Sequence, residues 1–403
     1  MGRTVFRGGR VFDGSAELAS VDIVVEEGRI VDVGPGLDGD DAVGLAGRAV
    51  LPGLFDCHTH VMVGPERLDT NTELETPFSY WFYAAIENLR RTLALGITTV
   101  RDAGYADLGV KTAVASGLIA GPRLHIAISI LSQSGGHADG WLPSGYDTTT
   151  PTWPGMPSGI VDGPDEMRRR VREVIRAGAD QIKVCTSGGV LSPRDDPRHG
   201  HFRDAELDVL VEEATAAGIP VMSHAQGAPG IKSAVRAGIR SIEHGIYLDD
   251  EAIELMLERG TWLVPTLLAP QGVLDAAAAG LAIPPASLRK AREVTDIHRS
   301  AITKAVAAGV KIAMGTDSGV TPHGNNLREL ALMVGCGMSP LQAMLATTRS
   351  AAELLRVEGD LGTIETGKRA DLVIVDGDPF DYADLGDRVR AVFQDGRLVS
   401  GSV

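Results

Sequence analysis

The sequence predicts an α/β fold: a (β/α)8 TIM barrel with a small β-sandwich domain formed by both termini. Three observations predict it. Short apolar runs alternate with helix-like stretches through the middle of the chain. Both ends instead alternate apolar and polar residues around Gly-centred turns. Polar side chains able to bind a metal recur where the apolar runs stop.

The first 50 residues contain TVFRGGRVFDG and VDIVVEEGRIVDVG, a period-two pattern that predicts short antiparallel strands. GTIETGKRADLVIVDG and VRAVFQDGRLVSG repeat that pattern near the other end. EEGRIVDV and QDGRLVSG share one turn chemistry, so the two ends are expected to pair in one domain of residues 1–52 plus 360–403. Between them, apolar runs at 50–60, 97–102, 123–129, 180–185, 219–224, 240–244, 261–266 and 311–317 predict eight strands. Stretches such as EMRRRVREVIRAGA and DAELDVLVEEATAAG separate them and close on Gly or Ala-Gly stops, which fit helix C-terminal caps. Eight strands that each feed a helix is the count for a barrel, here residues 53–359. Two connections are too long for turns. Residues 130–162 are rich in Gly, Pro, Ser and Thr and hold two Trp, and residues 267–285 follow the seventh strand. Both are expected to be lids or binding loops.

Composition narrows the partners. The chain has 403 residues, a 44% hydrophobic fraction and a net charge of −15 from 38 basic and 53 acidic side chains. That balance repels nucleic acid, and no basic run reverses it. No stretch of 18 apolar residues exists, so no membrane span is expected. The opening MGRTVFRGGRVFDG lacks the apolar core of a signal peptide. Cys57, Cys185 and Cys336 are odd in number and far apart, which fits a reduced, cytoplasmic compartment. The partners expected are a small-molecule substrate and further copies of the chain in a homo-oligomer.

Catalytic groups of a barrel sit at the C-terminal ends of its strands. Those ends carry His58, His60, Lys183, His224, His244 and Asp317. His58 and His60 are two apart on a strand, so both imidazoles share a face and can chelate an ion such as Zn2+. A second pair, His199 and His201 in DDPRHGHF, follows no apolar strand and reads as loop. In DQIKVC, alternation turns Lys183 inward, where an unpaired charge is costly. A buried lysine has three uses here: a Schiff base, an anion contact, or a CO2-derived carbamate that bridges two metals. Asp317 lies between Gly315 and Gly319, which let the backbone turn sharply. An aspartate there can ligate a metal and accept a proton from water.

With those residues assembled, the chain resembles the amidohydrolase superfamily. The matching pieces are LPGLFDCHTH, QIKV followed by SGG, SHAQG, SIEHG and GTDSG, in that order, and then GTIETGKRADLVIVDGDP. The resemblance covers nearly the whole chain. It implies two divalent metal ions, Zn2+. His58, His60 and Asp317 would bind the first, His224 and His244 the second, and a carbamate on Lys183 would bridge them. KVCTSGGVLSP and the SGGHADG loop look like the branch of Xaa-Pro dipeptidases and ochratoxin-type amide hydrolases. The activity this implies is cleavage of the amide bond of a dipeptide or N-acyl amino acid by a metal-bridged hydroxide, with Asp317 moving the proton. Imidazolonepropionases are more distant relatives that usually use one metal and lack the bridging lysine, so Lys183 argues against them. His137 is expected to stabilise the oxyanion or contact a substrate carboxylate. Gln226, His323, Trp141, Tyr146 and Trp153 are expected around the substrate. Gln226 stands where such dipeptidases often carry an aromatic residue, which leaves the substrate class open. The alternative is another C–N or ester substrate on the same site: a carbamate, a cyclic amide as in imidazolonepropionase, a lactone or an organophosphate.

Overall fold

The two turns that share a chemistry also share a geometry. Glu27 and Gly28 have φ of 49° and 81°, and Asp395 and Gly396 have φ of 48° and 69°. Positive φ at both central residues is the hairpin turn whose twist matches that of the flanking strands. The structure, a computed structural model, describes residues 2–148, 154–192 and 194–403. In it the first of these turns joins β2 (Glu17–Glu26) to β3 (Arg29–Gly34). The two turns touch: Ala370 N–H donates to the Gly28 carbonyl and Gly396 N–H to the Ala370 carbonyl, both at 2.9 Å.

The N-terminal strands also include β1 (Thr4–Phe12), β4 (Asp41–Gly44) and β5 (Arg48–Pro52). Next along the chain come β6 (Leu54–Thr59), β7 (Ile97–Asp102), β8 (Arg123–Ile126), β9 (Ile130–Leu131), β10 (Ile182–Cys185), β11 (Val221–Ala225), β12 (Ser241–His244) and β13 (Trp262–Val264). The last strands are β14 (Leu372–Asp376), β15 (Val389–Gln394) and β16 (Arg397–Gly401). Strands from both ends form one eight-stranded sheet in the order β16-β15-β14-β5-β1-β2-β3, with β4 beside β1. β5 and β14 run antiparallel with Pro52 opposite Leu372. Phe6 and Phe393 sit on strands separated by two others, yet their rings meet edge-on at 5.0 Å. The sheet therefore curls over its own core of Phe6, Ile23, Val50, Leu372 and Ile374. It is one hydrogen-bonded sheet rather than two stacked ones.

The run predicted as a single strand at 50–60 is two strands in two sheets, broken at Gly53. A Cβ there would lie 2.2 Å from the Thr98 hydroxyl, so only Gly fits the crossing. β6, β7 and β8 form one parallel sheet, and β9 to β13 form a second in chain order. Asp180 N–H donates to the Ile126 carbonyl at 2.8 Å, linking the two on one side. On the other side segment 311–317 lies between them. Ile312 bridges Leu263, Cys57 N–H donates to the Met314 carbonyl at 2.8 Å, and Ser318 bridges Thr59. The expected eighth strand is thus a ladder of bonds without a continuous strand, because Asp317 leaves the pleat at φ 58°.

Helices at Pro164–Arg176 and Asp204–Ala216 match the sequence reading. The expected loop at 267–285 does not. It holds a helix, Leu268–Ala278, followed by a long one at Pro285–Ala308. An alanine run favours helix and overrides the loop reading. Among the described residues, no helix is long and apolar enough to cross a membrane.

Candidate active site

A cavity of about 400 Å³ opens at the C-terminal ends of the parallel strands. His58, His60, Lys183, His224, His244 and Asp317 all line it, as do His137 and Gln226. The six strand-end residues expected from the sequence therefore do meet.

Their contacts are specific. Asp317 Oδ1 lies 3.5 Å from His58 Nε2 and 3.3 Å from His60 Nε2. Lys183 Nζ donates to His58 Nε2 at 3.5 Å. The His58 and His244 rings are 5.0 Å apart, and those of His224 and His244 4.6 Å. Two strand ends are strained. His244 has φ 72° and Asp317 φ 58°, conformations that side-chain-bearing residues rarely hold away from functional sites. Small neighbours make room: a Cβ on Gly315 would lie 2.9 Å from His58 Cβ, and one on Gly319 3.0 Å from His60 Cβ.

Each imidazole has one nitrogen held by the protein. His58 Nδ1–H donates to Glu243 at 2.7 Å, and His60 Nδ1–H to the Gly104 carbonyl at 3.3 Å. His224 Nε2–H donates to the Gly188 carbonyl at 3.2 Å, and His244 Nδ1 pairs with the Thr266 hydroxyl at 2.7 Å. Such partners fix the tautomer and leave the second nitrogen for a metal. Glu243 is fully buried and in turn takes Arg101 at 2.8 Å and Ser241 at 2.6 Å.

The electrostatics suit a cation. Burial, then the charge of Lys183, pushes His58 well below its usual pKa. Burial and neighbouring histidines do the same to His224 and His244. Neutral imidazole is the form that binds metal. Burial lowers the Lys183 ammonium too. Burial alone would raise Asp317, but His58, His60 and Lys183 outweigh it and hold the carboxyl below its usual range. His58, His244 and Asp317 offer ligand atoms all within 4.8 Å of one another. Nitrogen donors and one carboxylate at that spacing fit a divalent ion such as zinc.

His137 stacks on His224 at 3.9 Å with the rings 15° apart. Its Nδ1–H donates to Ser192 Oγ at 2.8 Å, and burial pushes its pKa down to about 4. A contact from Nε2 to an oxygen needs the ring protonated, which an anionic oxygen in the cavity favours. Gln226 is buried, and its Oε1 has no hydrogen-bond partner.

The other expected contacts are placed elsewhere. His323 lies outside the cavity wall. It is buried, accepts from the Thr92 hydroxyl at 3.3 Å, and donates to the carbonyls of His60 and Val63 at 3.2 and 3.1 Å. It braces the turn after β6. Trp141 and Tyr146 are about half exposed and are not among the residues that line the cavity, which their neighbours Leu142 and Thr148 do line. Trp153 lies outside the described residues. His201 packs beside Thr186, its N–H donating to that carbonyl at 2.7 Å. Sequence reasoning missed Glu243, Arg101, Ser192, Asp195 and Arg67. Arg67 stacks over Trp81 and Tyr105 at 4.8 and 5.2 Å and brings a guanidinium to the cavity wall. The one available signal was charge inside apolar strands, as in ITTVRD and SIEH.

Comparison with known proteins identifies the family. The amidohydrolase family matches residues 49–399. An ochratoxinase of Aspergillus niger is 35% identical over 368 residues, covering 87% of this chain and 76% of that protein. A Xaa-Pro dipeptidase crystallised with methionine in its active site has a TM-score of 0.90 at 35% identity, over 98% of this chain and 99% of that one. A prolidase complexed with N-methylphosphonate-L-proline gives 0.89 at 35% identity, over 99% and 100%. The chain belongs to the amidohydrolase family and is a hydrolase of amide C–N bonds.

Proposed function

We propose that this enzyme is a metal-dependent hydrolase that cleaves the amide bond of a dipeptide or an N-acyl amino acid. One observation carries the proposal: His58, His60, Lys183 and Asp317 converge, with Asp317 Oδ1 within 3.5 Å of both imidazoles and Lys183 Nζ at the same distance from His58. The likeness to an ochratoxinase and to Xaa-Pro dipeptidases supports the substrate class. Arg67 at the cavity wall supports a substrate that carries a carboxylate.

The architecture behind it is read as a (β/α)8 barrel of residues 53–359 beside a small domain of residues 1–52 and 360–403. The bonds through segment 311–317 and between Asp180 and Ile126 support closure of the strands into a ring. In that barrel His58, His60 and Asp317 would hold one divalent ion, and His224 and His244 a second. Lys183 would lie between them as a carbamate. Bound ions of this kind supply hydroxide at neutral pH and polarise the scissile carbonyl.

The chain's own residues do the rest. Burial shifts Lys183 toward the free amine, which adds to CO2 and releases a proton to give the carbamate. Asp317 stays ionised, takes a proton from the attacking water and passes it to the leaving nitrogen. His137 contacts the carbonyl oxygen or a substrate carboxylate, and Gln226 supplies an amide to the bound molecule. Ala269, Pro270 and Val273 from the helix Leu268–Ala278 close the cavity with apolar surface.

Three buried free cysteines support a cytoplasmic location. The partly exposed strip Phe78, Tyr80, Tyr83 and Ile86 supports self-association, and the acidic balance disfavours nucleic acid. The test is hydrolysis of a library of dipeptides and N-acyl amino acids together with metal analysis. Amino acid release is expected only from metal-loaded protein. Release that survives complete chelation, or no release from any amide by the loaded protein, would overturn the reading.

A further inference from the structure

The loop after β10 is tied down by a lysine from far along the chain. Lys290 lies on the helix Pro285–Ala308 and is 8% exposed. Its ammonium donates to the carbonyl oxygens of Gly189 at 2.6 Å, Ser192 at 2.5 Å and Asp195 at 3.1 Å, and to the Asp195 carboxylate at 3.3 Å. Asp195 Oδ1 also takes the hydroxyl proton of Ser192, and Asp195 Oδ2 takes the Gly189 N–H at 3.2 Å. Ser192 Oγ then accepts from His137 Nδ1 at 2.8 Å. The order of contacts is Lys290, Asp195, Ser192, His137.

Gly189 belongs to the same device. A Cβ there would lie 2.2 Å from Cε1 and Nδ1 of His137, so the imidazole occupies the space that a side chain would need. His224 covers the ring at 3.9 Å. Among the described residues, His137 Nε2 has no hydrogen-bond partner, and the residue lines the cavity. A buried ammonium and carboxylate stabilise a fold little better than apolar side chains of the same volume. Their chain of contacts ends instead on His137, a cavity imidazole that offers a nitrogen to substrate without belonging to the proposed ligand set.

We propose that Asp195 and Lys290 are positioning residues, acting through Ser192, that set the orientation in which His137 Nε2 meets the substrate. This rests on the amide-hydrolase reading of the cavity. The experiment is a double-mutant cycle on the metal-loaded enzyme with an amide substrate that the wild type hydrolyses. Asp195→Asn and Ser192→Ala are each expected to lower kcat about 10- to 100-fold, the range for partners of a reacting group. Bound metal and KM should change less than about twofold, the scatter allowed for uncoupled sites. In the His137→Ala background the same substitutions are expected to cost less than about twofold, because the group they orient is gone. An unchanged kcat in the single variants, or the same loss in both backgrounds, overturns the proposal. Loss of bound metal in both variants also overturns it, since the network would then serve the fold. A wild type inactive on every amide would instead defeat the functional reading itself.

Discussion

Replacing Glu243 by Gln keeps the side-chain volume and leaves one acceptor oxygen where there were two, of which only Oε2 holds His58. The carboxylate receives Arg101 at 2.8 and 2.9 Å, His58 Nδ1–H at 2.7 Å and Ser241 at 2.6 Å. An amide has one oxygen, so its NH2 group must face a donor. If the oxygen stays with Arg101, the charged partner, His58 loses the bond that fixes its tautomer and ring angle. A hydrogen bond to a charged group contributes about 1.5–3 kcal/mol. At about 1.4 kcal/mol per tenfold, that is roughly a 10- to 100-fold weaker site. The assay is zinc affinity by competition with a chromophoric chelator, read beside unfolding of the metal-free protein. Wild-type affinity in Glu243→Gln would refute the claim that this carboxylate prepares His58 for a metal. Glu243→Ala is a different experiment: it strands the buried Arg101 charge and is expected to cost stability by about 3–5 kcal/mol.

Lys183→Ala is expected to lower metal content and activity together; a metal-saturated variant with full activity would remove the carbamate from the mechanism. Gly189→Ala drives a methyl into the His137 ring and is expected to lower kcat at least about tenfold, the low end for a misplaced partner, with the protein still folded. Unchanged kcat there would show that the ring has another seat. Glu329 is fully buried, accepts the N–H groups of Leu267 and Leu268 at 2.7 and 2.9 Å, and is raised by burial from 4.5 to about 8. Between those values the folded state holds the proton more often than the unfolded one, so stability falls as pH rises through the window. Chemical unfolding of the metal-free protein across pH 4.5–8 is expected to show that fall, and Glu329→Gln to flatten it. An equally steep fall in the variant would exclude Glu329 as its source.

The features that read directly from the chain were those set by local pattern. His58 lies in, and His60 directly follows, a strand where alternate residues share a face, and Lys183 interrupts a four-residue buried run, so each announces an inward polar group. The pairing of the two ends was legible because Glu27-Gly28 and Asp395-Gly396 make the same turn. What was hidden depended on partners distant in sequence. Nothing near Asp195 reveals that Lys290 faces it, and nothing near Glu243 reveals Arg101. Trp141 and Tyr146 read as pocket aromatics by type alone, whereas both are half exposed in their hairpin and neither lines the cavity. His323 read as a ligand-side histidine for the same reason. Its two ring nitrogens are taken up by Thr92 and two backbone carbonyls, contacts that no spacing rule encodes.

The pairing of Pro52 with Leu372 also has a bearing on how the chain is made. A ribosome delivers β5 early and its neighbour β14 only after every catalytic segment has emerged. Until then β5 has one unsatisfied flank, the kind of exposed strand margin that recruits other chains. The nascent polypeptide must therefore keep that margin shielded, by a chaperone or by the emerging helices, for most of its synthesis. Transcripts cut short before position 372 would yield products that clump rather than weakened enzymes.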